Sequence, residues 1–176
     1  KIEIGIVIKQ DTSENQAKLI YLAIGSNLGN RKNNIEKTKY LLTQNNINII
    51  KSSSYYESLS WPNPKNPKFL NIVLETKTVF KPKELLQKCK EIEVNLGRKK
   101  SKINSPRICD IDIIDYDKVS IKSEIILPHP RMHKRNFVLL PLFEINKDWT
   151  HPIFKHNIKS LILSLPNRDI TAIKQI

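Results

Sequence analysis

The chain has 176 residues, 39% of them hydrophobic and 27% charged, a balance that suits one packed domain and excludes global disorder. No apolar run approaches the roughly 18 residues of a membrane span. Lys and Arg number 30 against 17 Asp and Glu, for a net charge of +13, so an anionic partner is expected.

In chain order, residues 1–10 alternate Ile2, Ile4, Ile6 and Ile8 with other residues and read as a strand. The beginning lacks the small-residue cleavage site of a secretory signal. A polar linker follows, which sets residues 1–18 apart from a main domain over 19–176. Residues 19–24 read as a short buried strand ending at Gly25. The segment Gly25-Ser26-Asn27-Leu28-Gly29-Asn30 has neither P-loop nor GxGxxG spacing and reads as a tight structural turn. A helix over about 30–45 takes Asn30 as N-cap. Residues 47–56 predict a strand, 57–68 a loop with three prolines, and 69–78 a strand.

Pro82 opens a second helix. Its buried stripe is Leu85, Leu86, Cys89, Ile92 and Leu96, and Gly97 closes it. Residues 98–107 form a basic loop. Residues 108–116 predict a strand, Asp117-Lys118 a turn, and 119–127 its hairpin partner. Further helices are expected at about 131–144 and 157–164. This order predicts an α+β ferredoxin-like domain, a mainly antiparallel sheet with flanking helices, and helices on one face suffice for a core of this size.

Chemistry concentrates in the third quarter of the chain. In a strand, Cys109, Ile111 and Ile113 point one way and Asp110 and Asp112 the other. Two neighbouring carboxylates repel unless something positive lies between them. A divalent cation such as Mg²⁺, sharing its shell with phosphates, does this well; a solvated sheet face is the alternative. Four of the six arginines, Arg98, Arg107, Arg131 and Arg135, surround this strand in sequence. Carboxylates for magnesium beside arginines are the composition of a phosphoryl-transfer site. His129, between two prolines, could donate to a phosphate. Trp61, Phe69 and Phe137 could stack on a flat ring, or simply belong to the core. Asn71 shares a strand face with Phe69 and could read the edge of a heterocycle. Two cysteines, Cys89 and Cys109, are too few for a disulfide scaffold, and a reducing cytoplasm is the expected compartment.

The blocks YLAIGSNLGNR (21–31), SSSYYES (52–58), FLNIVLET (69–76), EIEVNLGR (91–98), PRICDIDIIDYD (106–117) and LPHPRMHKRNFVLLPLFEI (127–145) occur in the order found in 6-hydroxymethyl-7,8-dihydropterin pyrophosphokinases, and the chain resembles that family from about Ile20 onward. The resemblance implies a ferredoxin-like fold and transfer of the β,γ-diphosphate of ATP to the pterin hydroxymethyl group in folate biosynthesis. It implies two Mg²⁺ ions on Asp110 and Asp112. It places Arg98, Lys100, Arg107, His129 and Arg135 at the nucleotide. Ser58, Leu59, Trp61, Phe69, Asn71 and Phe137 fall at the pterin, and Glu93 stands as an acid near the metals or as a solvated helix charge. Arg98 and Arg107 join the two aspartates as catalytic candidates.

The sequence departs from the family pattern at Asn104, Lys100 and Leu59, around the pterin lid. Residues 1–10 resemble the terminal strand of a dihydroneopterin aldolase, which suggests an upstream fusion. No membrane or nucleic-acid partner is expected. The rival reading is a ferredoxin-like nucleic-acid-binding module, which the charge allows; such modules use an aromatic-rich strand motif that this chain lacks.

Overall fold

The computed structural model describes residues 16–98 and 104–176. The expected strand over residues 1–10 and Lys100 of the basic loop lie outside the described residues.

Strand β1 (Lys18–Ser26) leads into helix α1 (Arg31–Gln44), β2 (Asn48–Ser52), β3 (Tyr56–Ser58) and β4 (Phe69–Thr78). Helix α2 (Pro82–Asn95) and β5 (Asp110–Tyr116) complete the split βαβ core. The sheet order is β5-β1-β4-β3, with β2 also on β4, and these pairings are antiparallel. Asn30 caps α1 by accepting from the Asn33 N–H. Pro82 occupies the first turn of α2, where its missing N–H costs nothing. Gly97 ends that helix at φ +97°, a conformation a side chain disfavours.

Alternation along the strands sends alternate side chains to opposite faces. Ile20, Leu22 and Ile24 of β1 pack with Ile35 and Leu42 of α1 and Leu85, Cys89 and Ile92 of α2. Tyr21 and Ala23 pack on the other face with Val138, Leu139 and Leu142 of helix α3 (Asn136–Ile145) and Ile158 and Leu161 of helix α4 (Ile158–Leu163). Helices therefore cover both faces, not one. The C-terminal segment is apolar enough to make the second layer.

Three further expectations change. The strand over 47–56 is broken into β2 and β3. At the break, the Ser53 N–H donates to the Val73 carbonyl while the Ser53 hydroxyl accepts the Val73 N–H, and the Ser54 N–H donates to the Glu144 carboxylate. Residues 119–127 do not pair with β5. Asp117 and Lys118 both take positive φ, and the chain then forms a separate ribbon of β6 (Ile121–Lys122) and β7 (Ile126–Leu127). Ile125 and Leu127 are drawn into the α1–α2 core instead. The helix expected over 131–144 starts late. A 3-10 turn (Met132–Lys134) comes first, and Arg135 stays extended at φ −110° and ψ 108° before α3 begins. A short helix α5 (Asn167–Thr171) and strand β8 (Lys174–Gln175) on the edge of β3 end the chain.

Candidate active site

The register of the sheet builds a row of residues on the α3 side, Asp110–Gly25–Asn71–Tyr56, each directly opposite the next. Asp112, Ala23 and Val73 form the adjacent row. The expected split of β5 holds: Cys109, Ile111 and Ile113 enter the α1–α2 core, and the two aspartates share the opposite face. A register shift at Tyr21/Leu22 inserts an extra residue beyond them. Such a bulge turns two successive side chains the same way, so Ile114 joins the α3 core while Asp115 accepts from the Trp149 indole at 2.8 Å.

Three arginines converge on the two aspartates. Asp110 Oδ1 accepts from Arg98 at 3.2 Å and from Arg107 at 3.4 Å. Asp112 Oδ2 accepts from Arg135 at 3.2 Å, with His129 Nε2 3.9 Å away. The extended backbone at Arg135 delivers that guanidinium, which is why the helix cannot start sooner. Arg98 also grips buried Glu93, whose Oε1 accepts the Ile111 N–H at 2.7 Å. The helix carboxylate thus anchors both an arginine and the β5 backbone.

Burial first, and then the Asp112 charge, push Asp110 above the usual carboxylate range against the pull of Arg107 and Arg98. Burial likewise raises Glu93, against its Ile111 N–H bond and Arg98. Burial and the charges of Arg135 and Arg131 lower His129 to about 4, so it is neutral at pH 7. Its Nδ1 accepts the Arg131 N–H at 3.1 Å, which leaves the proton on Nε2, the atom toward Asp112.

Next to the aspartates, Phe69 and Asn71 flank the position where Gly25 has no side chain. A Cβ there would stand 3.2 Å from the Phe69 ring and 3.3 Å from Asn71 Oδ1. Asn71 Nδ2 donates to Ser58 Oγ at 2.9 Å and to the Tyr56 carbonyl at 3.1 Å, which turns its oxygen toward Gly25. The Arg107 guanidinium lies 6.0 Å from the Phe69 ring, Arg135 lies 5.4 Å from Phe137, and Arg131 lies 6.0 Å from Trp61. Leu59 and Trp61 are exposed on the 57–68 loop. The structure therefore gathers Ser58, Phe69, Asn71, Arg98, Arg107, Asp110, Asp112, His129, Arg135 and Phe137 around one end of the sheet.

The donor set suits a hard divalent cation. Among the described residues, the contacts of Asp110 use Oδ1 and those of Asp112 use Oδ2, which leaves one oxygen on each carboxylate. No third His, Cys, Asp or Glu joins them in a metal-binding group among those residues. That matches an ion completing its shell with water and phosphate oxygens.

The profile of the family described as 7,8-dihydro-6-hydroxymethylpterin-pyrophosphokinase (HPPK) matches residues 21–147. The chain belongs to the HPPK family. It is 40% identical over 141 residues to the 2-amino-4-hydroxy-6-hydroxymethyldihydropteridine pyrophosphokinase of Aquifex aeolicus, covering 80% of this chain and 88% of that one. It is 38% identical over 165 residues to folic acid synthesis protein fol1 of Pneumocystis carinii. The match takes in 93% of this chain but 22% of that protein, so HPPK sequence also occurs inside larger chains. Among solved structures, Plasmodium falciparum HPPK-DHPS wild type superposes with a TM-score of 0.73 at 17% identity, over 94% of this chain and 45% of that one. That likeness supports the ferredoxin-like fold. The family match decides between the two readings of the sequence, in favour of the enzyme and against the nucleic-acid module.

Two elements of this HPPK site escaped sequence reasoning. Asn27, read as part of a structural turn, is buried and hydrogen-bonded to two distant segments. Ser60, read as loop, is buried against it. For Asn27 the signal available was the polar pair Ser26-Asn27 between a strand and a helix. Its partners lie 33 to 80 residues away, beyond any local pattern.

Proposed function

We propose that this chain transfers diphosphate from ATP to 6-hydroxymethyl-7,8-dihydropterin, with release of AMP, as a step of folate biosynthesis. The observation that carries the reading is the Asp110–Gly25–Asn71 row. It sets an arginine-ringed carboxylate pair beside a slot floored by a glycine and walled by an aromatic ring and an amide.

Each side chain then has a part. Asn71 and Ser58 read the polar edge of the pterin, Phe69 and Phe137 frame its ring, and the backbone around Leu59 and Trp61 supplies further polar contacts. Arg98, Arg107 and Arg135 bind the triphosphate oxygens, and Lys100 adds a cation from the basic loop. Their links to Asp110 and Asp112, at 3.2–3.4 Å, hold them in place before substrate arrives, so less reorganisation is required at the moment of transfer. Neutral His129 offers an Nε2–H to a phosphate oxygen. Asp110 and Asp112 would hold Mg²⁺, two ions by family resemblance, and the metal would neutralise the charge of the transferring group. The hydroxymethyl oxygen attacks the β-phosphorus in line with the departing AMP. Loops 25–31 and 57–68 close the site from water.

Two broader readings complete the proposal. Cys89 and Cys109 are buried free thiols, which supports a reducing cytoplasm. Among the described residues, no helix is long and apolar enough to cross a membrane. Residues 1–10 would close an upstream dihydroneopterin aldolase unit; an intact mass of the native product starting near Lys1 would sink that assignment.

The decisive test mixes the protein with ATP, Mg²⁺ and the pterin and separates the nucleotides. AMP formed only with pterin and metal both present is expected. ADP would mean single-phosphoryl transfer, and no change from a folded sample would overturn the reading.

A further inference from the structure

We propose that Asn27 is a positioning residue that fixes the pterin-side loop to the phosphate-side arginine, so that each substrate's loop is held in register with the other. This rests on the diphosphate-transfer reading above. Asn27 follows the last residue of β1 and is 3% exposed. Both ends of its amide are used. Nδ2 donates to Ser60 Oγ at 3.2 Å and to the Pro67 carbonyl at 3.1 Å, both in the 57–68 loop. Oδ1 accepts the Arg107 N–H at 2.8 Å, and the Asn27 N–H donates to the Arg107 carbonyl at 3.1 Å. The Arg107 backbone is therefore clamped on both its donor and its acceptor, three residues before Asp110. Ser60 completes a triangle, since its hydroxyl donates to the same Pro67 carbonyl while accepting from Asn27.

The chemistry narrows the choice at this position. The site needs a donor facing one loop and an acceptor facing the other, from a side chain short enough to stay at the end of β1. An amide supplies both; a carboxylate lacks the donor, and a hydroxyl cannot reach both loops. A buried donor or acceptor left without its partner carries a desolvation penalty, so the two loops are favoured together rather than separately. A further loop contact is independent of Asn27: Arg31 donates to Glu57 at 2.9 Å and to the Lys68 carbonyl at 2.9 Å. That ties down the stem of the loop, while Asn27 holds its middle at Ser60 and Pro67, with Arg131 facing Trp61 between them.

The test uses Asn27→Asp, which keeps the acceptor toward Arg107 and loses the donor toward the loop. The expected result is a rise of about tenfold in KM for the pterin with KM for ATP unchanged within about twofold. Hydrogen exchange on the unliganded protein should be faster across residues 60–67, with no change at Arg107. Asn27→Ala should loosen both segments. Ser60→Ala, which removes less, should raise pterin KM by a smaller factor, and adding it to Asn27→Asp should cost less than it does alone, because only the Ser60–Pro67 bond is then left to lose. Equal loss for both substrates, or exchange rising across the whole of β1, would overturn the assignment and leave Asn27 a fold residue. The exchange measurement needs no turnover, so a wild-type protein that made no AMP would sink the functional reading while the loop coupling was still judged.

Discussion

Single side chains carry the most specific expectations. Gly25 sits between Asp110 and Asn71 in the sheet, and a Cβ there is tighter against Phe69 and Asn71 than ordinary van der Waals contact. Gly25→Ala should raise KM for the pterin by about tenfold or more and leave thermal stability within about 1 kcal/mol, because the methyl group enters the slot rather than the core. Steady-state kinetics with each substrate varied in turn checks it; a selective rise in KM for ATP would contradict it. Asp110→Ala and Asp112→Ala should each abolish turnover while circular dichroism stays native, since both side chains are half-buried at the start of β5 and neither belongs to the apolar core. Retained activity in both would remove the metal assignment. Phe137→Ala should weaken pterin binding more than ATP binding by calorimetry. These residues were legible in the sequence because strand alternation is local: Phe69 and Asn71 are two apart, as are Asp110 and Asp112. Gly25 and Asn27 were not, since their meaning depends on which strands flank β1.

At the scale of the element, the sequence was read well wherever local chemistry sets the boundary. Asn30 as N-cap, Pro82 in the first turn and Gly97 at positive φ each act within four residues. It was read poorly where a distant contact overrides propensity. Residues 131–135 have a helical pattern, yet Arg135 is held extended by Asp112, 23 residues earlier. Strand 47–56 breaks where Ser54 meets Glu144, 90 residues on. The Asn30 cap provides a clean test, because among the described residues Asn30 bonds to its own helix and not to the aspartate–arginine cluster. Asn30→Ala removes the acceptor for the Asn33 N–H and should lower unfolding free energy by about 1 kcal/mol in urea titration. A change in pterin KM would be unexpected, and no change in stability would mean that water caps the helix as well as Asn30 does.

For the whole molecule, the second helical layer was the largest surprise, and it brings an acid-sensitive group into the interior. His151 is 2% exposed. Its ring stacks on Phe154 at 4.1 Å, meets Trp149 edge-on, and accepts the Ile153 and Phe154 N–H groups on Nδ1. Burial, with smaller contributions from His133 and His156, lowers it to about 4. In the unfolded chain it would titrate near 6.5. The unfolded state therefore binds the proton first, and the stability His151 contributes is complete above about pH 6.5 and drains away as pH falls toward 4. By pH 5 this amounts to roughly 2 kcal/mol, or about 5 °C in Tm for a chain of this size. Glu93, Asp110 and Asp115 act in the opposite sense, because burial raises all three and the folded state then takes up their protons first. The wild-type profile sums both effects, so the comparison with a variant isolates the histidine. His151→Asn keeps an acceptor near Nδ1 for the two backbone N–H groups and cannot titrate. Its Tm should fall less than that of the wild type between pH 7.5 and pH 5, by several degrees, with the carboxylate contribution cancelling between the two proteins. Parallel profiles would mean that the His151 proton is accommodated in the folded state by local opening around Phe154, and that the C-terminal layer is held by its apolar contacts alone.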